Sequence, residues 1–457
     1  MDLALIILIL YLLLTFGIAV FFSRRESIEG YFINKRKTSL WMMAFSNVAS
    51  LVGAGAVVSV VAEGYGSGIS YGILLPAGFI LGAILLAIFG YKIREYSNKN
   101  EIYTLVDFFE KRFDYKNKVL VGFLQIVLLF FWIGIQAVAF ASLASVLMGF
   151  DYIFALVLAS SITILYTAIG GLKIDIMSDF IQFWIILIMF VLVFFIGLGQ
   201  VGGFENLFNS LPKGHLDFFA FGGIGFFISA TLFSGFLFIA GTQNWQRIIS
   251  AKNKDVARKS FLLSIPFLII ISIIAIFMGL SSSVLLKGID QNTAIFSLMQ
   301  NVLPTALYGV GLASILAVIM SSIDSLLIGG STIISREIFK RRYFSEKRKL
   351  IFARILTGLF GVVGFLVAFI FPNVVDLTII QSTIALIFPA AIIAGLYSKK
   401  FSANAAFFSI LIPFALIIIL FPLIEKQTLM VTTSLSILIV LFYDKIFKKK
   451  LQTNIFR

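Results

Sequence analysis

The sequence of 457 residues contains no cysteine and a single histidine, His215. Disulfide bonds, thiolate nucleophiles and iron–sulfur clusters are therefore excluded, because each of them requires cysteine. The histidine lies in a short polar stretch, where we expect it to be solvated and to hold no metal. No Ser–His arrangement and no nucleotide-binding loop occur either. We therefore predict that the protein is not an enzyme, since catalysis needs positioned groups with matched pKa values.

Charged residues are scarce as well, at 13% of the chain, whereas hydrophobic residues make up 60% and the mean hydropathy is +1.05. Apolar runs of roughly 20 residues recur from end to end, and this is the length that a helix needs to cross a bilayer. The runs are continuously apolar, whereas the strands of a membrane barrel alternate in polarity. The sequence therefore predicts an all-α integral membrane protein.

Lysine and arginine are unevenly distributed between the loops. We count about thirteen apolar runs, and the basic residues of membrane proteins concentrate in cytoplasmic loops. With the N-terminus outside and the C-terminus inside, all but three of the 36 basic residues fall on the inner side. The net charge of +14 is thus explained by topology, with anionic lipid rather than nucleic acid as its neighbour. The predicted spans cover residues 2–22, 41–62, 71–91, 119–149, 151–169, 176–200, 219–241, 260–284, 306–334, 351–371, 376–397, 403–423 and 428–443.

Polar side chains gather in the ninth predicted span. Ser321, Asp324 and Ser325 are spaced i, i+3 and i+4, so they share one face of a helix. Polar groups inside a span are costly and mark functional sites by default, and hydroxyl and carboxylate oxygens are the ligands of small cations. Hydrogen bonding between helices explains one or two serines but explains the added acid poorly. We therefore predict cation coordination on this face.

The second predicted span is interrupted by small residues. Gly53 and Gly55 stand in a run of alanine and serine, which is poor helix material and exposes backbone. In transporters, unwound backbone at mid-membrane lines the binding site and offers carbonyls to ions. Close helix packing through small residues is the alternative. Asp179 follows a Gly-Gly break and also has two interpretations. It is either a functional acid or an acid that stabilises the N-terminus of its helix.

Four segments resemble the sodium:solute symporter family. Tyr166–Lys173 with Ser178–Gln182 is similar to its strongest signature, and Gln243–Lys252 looks like its inner-loop Gln-Arg motif. Met320–Ser325 resembles its ninth-span sodium motif, and Gln381 with a following proline and glycine resembles its eleventh-span pattern. The order and spacing of these segments make the resemblance specific, and it covers nearly the whole chain.

The resemblance implies a LeuT-like fold with two inverted repeats of five helices, in which the first helix of each repeat is broken. The repeats would occupy residues 41–200 and 201–397. Residues 1–40 would form a peripheral helix with an inner loop, and residues 398–457 two peripheral helices with a basic tail. The second broken helix would be the seventh span, near Ser234.

The resemblance also implies site residues. A sodium ion would be bound by backbone carbonyls and hydroxyls of Ala49, Val52, Val318, Ser321 and Ser322. A second sodium, or a proton, would involve Asp179, Ser321, Asp324 and Ser325, although Asp324 stands where relatives with that site use a hydroxyl. The solute would contact Gly53, Ala56, Gln136, Phe233, Ser234 and Gln381.

The sequence thus predicts a transporter of the plasma membrane that couples sodium to a small organic solute. Because the expected pocket is small and sparsely polar, we favour an amino acid or a small carboxylate over a sugar. A proton-coupled permease of the same fold is the nearest alternative. A solute sensor without transport, an ion channel and, least of all, a membrane enzyme are the others. The oligomeric state is not predicted.

Overall fold

The computed structural model describes residues 3–23, 27–149, 151–341 and 344–455, and in these ranges the chain is helical. Only one isolated bridge of extended backbone occurs there, between Thr38 and Ala251. The α-helices are α1 (Leu3–Ser23), α2 (Ile28–Ile33), α3 (Leu40–Leu51), α4 (Ala54–Gly66), α5 (Ile69–Gly72), α6 (Leu74–Asn100), α7 (Leu105–Arg112), α8 (Tyr115–Met148), α9 (Tyr152–Gly170), α10 (Leu172–Val201), α11 (Gly203–Ser210), α12 (Gly223–Phe233), α13 (Leu237–Ala240), α14 (Thr242–Ser250), α15 (Lys254–Leu285), α16 (Ala294–Val302), α17 (Thr305–Arg341), α18 (Glu346–Ile370), α19 (Val374–Ala385), α20 (Pro389–Tyr397), α21 (Ala403–Ile424) and α22 (Thr428–Ile455). Short 3-10 helices cover Asn34–Arg36, Ser234–Phe236, Gln291–Thr293 and Glu425–Gln427.

The helices are long and apolar enough for a multi-pass membrane protein. Ten stretches of the described chain qualify as membrane spans, and the bent pair α3–α4 makes eleven. One of the ten, Ala403–Ile446, contains both α21 and α22, which the sequence predicts as two spans. The prediction of an all-helical membrane protein is confirmed, whereas the number of thirteen spans and their orientation stay predictions.

Helix α17 lies at the centre of the bundle. In its most apolar window 83% of the residues are buried, compared with 28% for α1 and 22% for the stretch that spans α21 and α22. The serine face of α17 is therefore enclosed by other helices. Polar groups on this face that do not border a cavity must therefore find a partner inside the protein.

Two helices are broken, as the sequence predicts. Helix α3 ends at Leu51, Val52 and Gly53 leave the helical conformation, and α4 starts at Ala54. The seventh predicted span changes from α12 through the 3-10 turn Ser234–Phe236 to α13. At Gly235 a side chain would meet the backbone nitrogen of Gly82 at 2.7 Å, so the close approach of α6 requires glycine here. A third interruption, between α19 and α20, was not predicted.

A polar cluster outside the spans fixes the basic end of α17. Thr104 and Asp107 form a capping box that starts α7. Asp107 also pairs with Arg336 at 3.0 Å, and Glu110 accepts from Lys340 at 2.7 Å. Burial raises the pKa of Glu110, but hydrogen bonds from Lys340 and a neighbouring lysine outweigh burial, so the net pKa lies below its ordinary value.

The prediction that His215 is solvated is wrong. His215 is only 7% exposed, and its Nε2 lies 3.1 Å from the carbonyl oxygen of Tyr65. Its own carbonyl accepts a hydrogen bond from the backbone nitrogen of Ile69 at 2.8 Å. The loop therefore packs against the start of α5, which the polar sequence around the histidine does not reveal.

Candidate functional site

The break between α3 and α4 exposes backbone carbonyls to α17. The last carbonyls of a helix have no intrahelical donors, so other groups must satisfy them. Ser321 Oγ donates to the carbonyl of Ala49 at 2.8 Å and lies 3.1 Å from the carbonyl of Val318. Ser322 Oγ donates to the carbonyl of Ser50 at 3.2 Å. The two hydroxyls of α17 thus bind the carbonyl end of α3.

This arrangement brings most of the predicted sodium ligands together. The single hydroxyl of Ser321 lies within hydrogen-bonding distance of the carbonyls of Ala49 and Val318, and Val52 occupies the break itself. All four are at most 1% exposed, and Ser322 is 6% exposed. Neutral carbonyl and hydroxyl oxygens suit a small hard cation, because such ions prefer oxygen ligands. The residues present therefore fit a sodium ion that would take over these oxygens from the hydrogen bonds.

A buried arginine lies beside this region. Arg247 of α14 is 1% exposed, and its Nη2 lies 3.0 Å from Asp175 Oδ2 and 2.9 Å from Asp179 Oδ2. Both carboxylates belong to α10 and are at most 2% exposed. The same Nη2 lies 2.6 Å from Ser325 Oγ and also contacts Ser50 Oγ. The guanidinium thus links α14 to α3, α10 and α17.

Three serines lie between the arginine and the two carboxylates. Ser46 Oγ donates to Asp179 Oδ2 at 2.6 Å, and Ser50 Oγ donates to the same oxygen at 2.9 Å. Ser325 Oγ donates to Asp175 at 3.0 Å. A hydroxyl can donate once while it accepts from another donor. Each serine thus lies within hydrogen-bonding distance of an Arg247 nitrogen and donates to a carboxylate, whereas Arg247 Nη1 and Asp179 Oδ1 are buried without a partner in the structure.

Asp324 is directed to another part of the bundle. Its Oδ1 accepts a hydrogen bond from Thr167 Oγ1 of α9, and the residue is 2% exposed. Among the residues predicted for a second ion, the structure therefore unites Asp179 and Ser325 around Arg247. Asp324 contacts α9 instead, although it follows Ser321 by only three residues.

A cavity adjoins the broken helices. Its volume is about 180 Å³, compared with the ~15 Å³ that one water requires, so it admits a small organic molecule. Five of the six residues predicted to contact the solute line it, namely Gly53, Ala56, Gln136, Ser234 and Gln381. Phe233, the sixth, is not among the lining residues. Ser50, Ser322 and Ser325 also line it, so the cavity borders both the predicted sodium site and the arginine cluster.

The described lining residues carry no formal charge. Three of them hold a buried polar atom without a hydrogen-bond partner in the structure: Gln381 Nε2, Gln243 Oε1 and Ser234 Oγ. Gln381 is 3% and Gln243 8% exposed. Since buried polar groups are almost always paired, unpaired ones in a cavity are open to a ligand. Aromatic side chains, among them Tyr71, Phe79 and Trp132, form much of the remaining wall.

Sequence reasoning missed the roles of Asp175, Arg247 and Gln243. Asp175 and Asp179 are spaced i, i+4 on α10, which predicts that both carboxylates share a face. That spacing was the available signal. Arg247 was assigned to an inner loop, whereas it belongs to a short helix whose nine residues are all buried.

A family model described as the sodium:solute symporter family matches residues 31–413. The chain is 24% identical to a sodium/glucose cotransporter of Vibrio parahaemolyticus, over 91% of this chain and 84% of that protein. It is 26% identical to a sodium/pantothenate symporter of Haemophilus influenzae, over 78% and 77% of the two chains. It is also 26% identical to a sodium/proline symporter of Staphylococcus aureus, over 71% and 65%.

Solved structures show the same fold. A Na+-coupled sialic acid symporter in a substrate-bound outward-open state superposes with a TM-score of 0.81, at 18% identity over 96% of this chain and 97% of that chain. A nucleobase-cation-symport-1 family transporter gives a TM-score of 0.58, at 15% identity over 91% and 95%. The helices of this chain therefore adopt a LeuT-like arrangement.

Proposed function

Because the chain belongs to the sodium:solute symporter family, and thus moves a solute across a membrane together with sodium, we propose that its solute is an amino acid or a small carboxylate rather than a sugar. The observation that carries the proposal is a cavity whose described lining has no charged side chain and offers three buried polar atoms without a partner, Gln381 Nε2, Gln243 Oε1 and Ser234 Oγ. A sugar presents hydroxyls all around its ring and would leave most of them unpaired against this wall, which is costly.

A carboxylate has a binding position at the start of α4. Gly53 is the N-cap of this helix, and no side chain caps it. The first backbone N–H groups of a helix lack intrahelical partners and carry positive partial charge, so they attract anions. Gly53 and Gly55 line the cavity, and Gln381 Nε2 is an additional free donor. A carboxylate could therefore bind here without a cationic side chain.

The same cavity also offers hydrogen-bond acceptors for an ammonium group. Gln243 Oε1 and Ser234 Oγ line the same cavity and have no partner in the structure. Aromatic walls at Tyr71, Phe79 and Trp132 would bury an apolar side chain. An amino acid would thus use both the donors and the acceptors of the cavity, whereas a small carboxylate would use the donors alone.

Coupling follows from residues shared by the two sites. Ser322 is a predicted sodium ligand, bonds the Ser50 carbonyl and lines the cavity. A sodium ion that holds α3 against α17 would fix Ser50 and Ser322 in the wall that receives the solute. Sodium would then raise the affinity for solute, and solute must raise the affinity for sodium by the same factor.

The predicted domain organisation and location accord with this function. The two broken helices, α3–α4 and α12–α13, fall in residues 41–200 and 201–397, as expected for the first helix of each inverted repeat. The N-terminus would face outward in the plasma membrane, since that orientation places the basic loops inside.

The test is the thermal stability of the purified protein against amino acids, carboxylates and sugars, each in sodium and in potassium. A ligand that binds the folded state raises its apparent stability. We expect one amino acid or carboxylate to stabilise the protein in sodium alone. Stabilisation by sugars would contradict the proposed solute. Equal stabilisation in both salts, increasing at low pH, would instead favour a proton-coupled permease.

A further inference from the structure

The guanidinium of Arg247 lies among oxygens that would otherwise form a cation site. Its Nη2 is within hydrogen-bonding distance of Asp175 Oδ2, Asp179 Oδ2, Ser325 Oγ and Ser50 Oγ. Two carboxylates and two hydroxyls around one point are typical of a site for a small cation. Here a nitrogen of the protein's own side chain occupies that point.

We infer that Arg247 is a fixed internal cation that takes the place of a second sodium ion, so that the protein binds a single sodium. This inference rests on the proposed sodium symport, because it concerns how many ions accompany the solute. It assigns the sole sodium to Ala49, Val52, Val318, Ser321 and Ser322.

Among the ligands predicted for the second ion, Asp179 Oδ1 has no partner in the described structure, but the other oxygens are engaged. Asp179 Oδ2 and Ser325 Oγ both contact Arg247, and Ser321 Oγ is bonded to the Ala49 carbonyl. Asp324 accepts from Thr167 on α9. A sodium ion at this place would also meet the positive charge of the guanidinium in a buried region, where like charges repel strongly.

The buried position makes the arginine a permanent occupant. Arg247 is 1% exposed, and its Nη2 lies within 3.0 Å of both carboxylates, which hold the buried guanidinium in place. A single buried charge left without its partner is strongly unfavourable. Removal of Arg247 would therefore leave two neighbouring carboxylates that require another cation, and sodium from solution is the available one.

Direct measurement of sodium binding tests the inference without knowledge of the solute. The probe is ²²Na+ alone, titrated to saturation against purified full-length wild type, Arg247→Gln and Arg247→Lys. We expect one sodium per wild-type chain, one more in Arg247→Gln, and the wild-type number in Arg247→Lys, which keeps the positive charge. Arg336→Gln is the matched control, because it also removes a cation paired with a carboxylate, that of Asp107, but lies about three helical turns along α17 from Ser325, and it should leave the number unchanged.

The outcomes separate this inference from the proposed function. A wild type that binds two sodium ions overturns the inference but not the symport. A folded Arg247→Gln protein that binds no more sodium than wild type overturns it too. If Arg247→Gln does not fold, the wild-type number still decides. A wild type that binds no sodium contradicts sodium coupling. If Arg247→Gln then binds one sodium, this difference from wild type would still support the role of the arginine.

Discussion

Replacement of Gly53 by alanine should weaken sodium binding through a steric contact with Ser322. A methyl group at Gly53 would overlap Ser322 Oγ and would lie 3.1 Å from Ser322 Cβ and 3.2 Å from Gln136 Nε2. The backbone at Gly53 has φ −83° and ψ −178°, an extended conformation that alanine adopts without strain. The expected defect is therefore caused by the side chain that has to move.

The size of the effect follows from what Ser322 would lose. To make room, its hydroxyl must rotate away from the Ser50 carbonyl, to which it now donates at 3.2 Å. Loss of one buried polar interaction costs about 1–3 kcal/mol. If the hydroxyl is also a sodium ligand, the dissociation constant for sodium should rise by about 5- to 150-fold.

Gly55→Ala is the matched control for this prediction. Gly55 lines the same cavity, but an added methyl would meet Ile135 and Thr378 at 3.4 Å, which is an ordinary contact. Both variants and wild type would be titrated with sodium, with thermal stability as the measure of binding. Equal sodium dependence in Gly53→Ala and Gly55→Ala would refute the position assigned to the Ser322 hydroxyl.

Three further predictions concern stability. Gly279→Ala should destabilise the protein by about 1–3 kcal/mol in thermal denaturation, because its methyl would lie 2.8 Å from the Gly64 backbone. Gly225→Ala is the control and should be neutral in the same assay, because its methyl would meet nothing within 4 Å. Thr104→Ala should cost about 1 kcal/mol through loss of the α7 cap, and Thr104→Ser should restore it. Glu110→Gln should lower stability at neutral pH, and its difference from wild type should shrink as the pH falls through the lowered pKa of Glu110. A difference that persists in acid would argue against the lowered pKa.

The structure contains the predicted features that depend on the residues of one short segment. The break at Gly53 follows from residues that cannot support a helix, and it is found between Leu51 and Ala54. The hydroxyls of Ser321 and Ser322 contact the exposed carbonyls of α3. In both cases the chemistry of a short segment decides the outcome.

The roles of Asp324 and Arg247 depend on packing between distant segments. Asp324 was expected to join Ser321 and Ser325, but one helical position rotates a side chain by about 100°, and this turns its carboxylate towards Thr167 of α9. Arg247 stands beside basic loop residues in the sequence, yet α14 carries it into the bundle. A pattern within one segment does not show which neighbour each face meets.

The arginine cluster has a consequence for the transport cycle. Arg247 connects α14 to α3, α10 and α17, and Gln243 of the same helix lines the solute cavity four residues earlier. Positions i and i+4 lie on one side of a helix. A movement of α14 on solute binding would therefore also move the guanidinium against the two acids.

The most direct test of the central account is sodium-driven uptake in proteoliposomes, for the solute that the stability panel identifies, by wild type and Ser321→Ala. The hydroxyl of Ser321 connects the Ala49 and Val318 carbonyls and contributes one of the assigned sodium ligands. We expect wild type to accumulate solute only under an inward sodium gradient, and Ser321→Ala to need about 5- to 150-fold more sodium for half-maximal uptake. Uptake that is independent of sodium, or unchanged sodium dependence in the variant, would contradict this expectation.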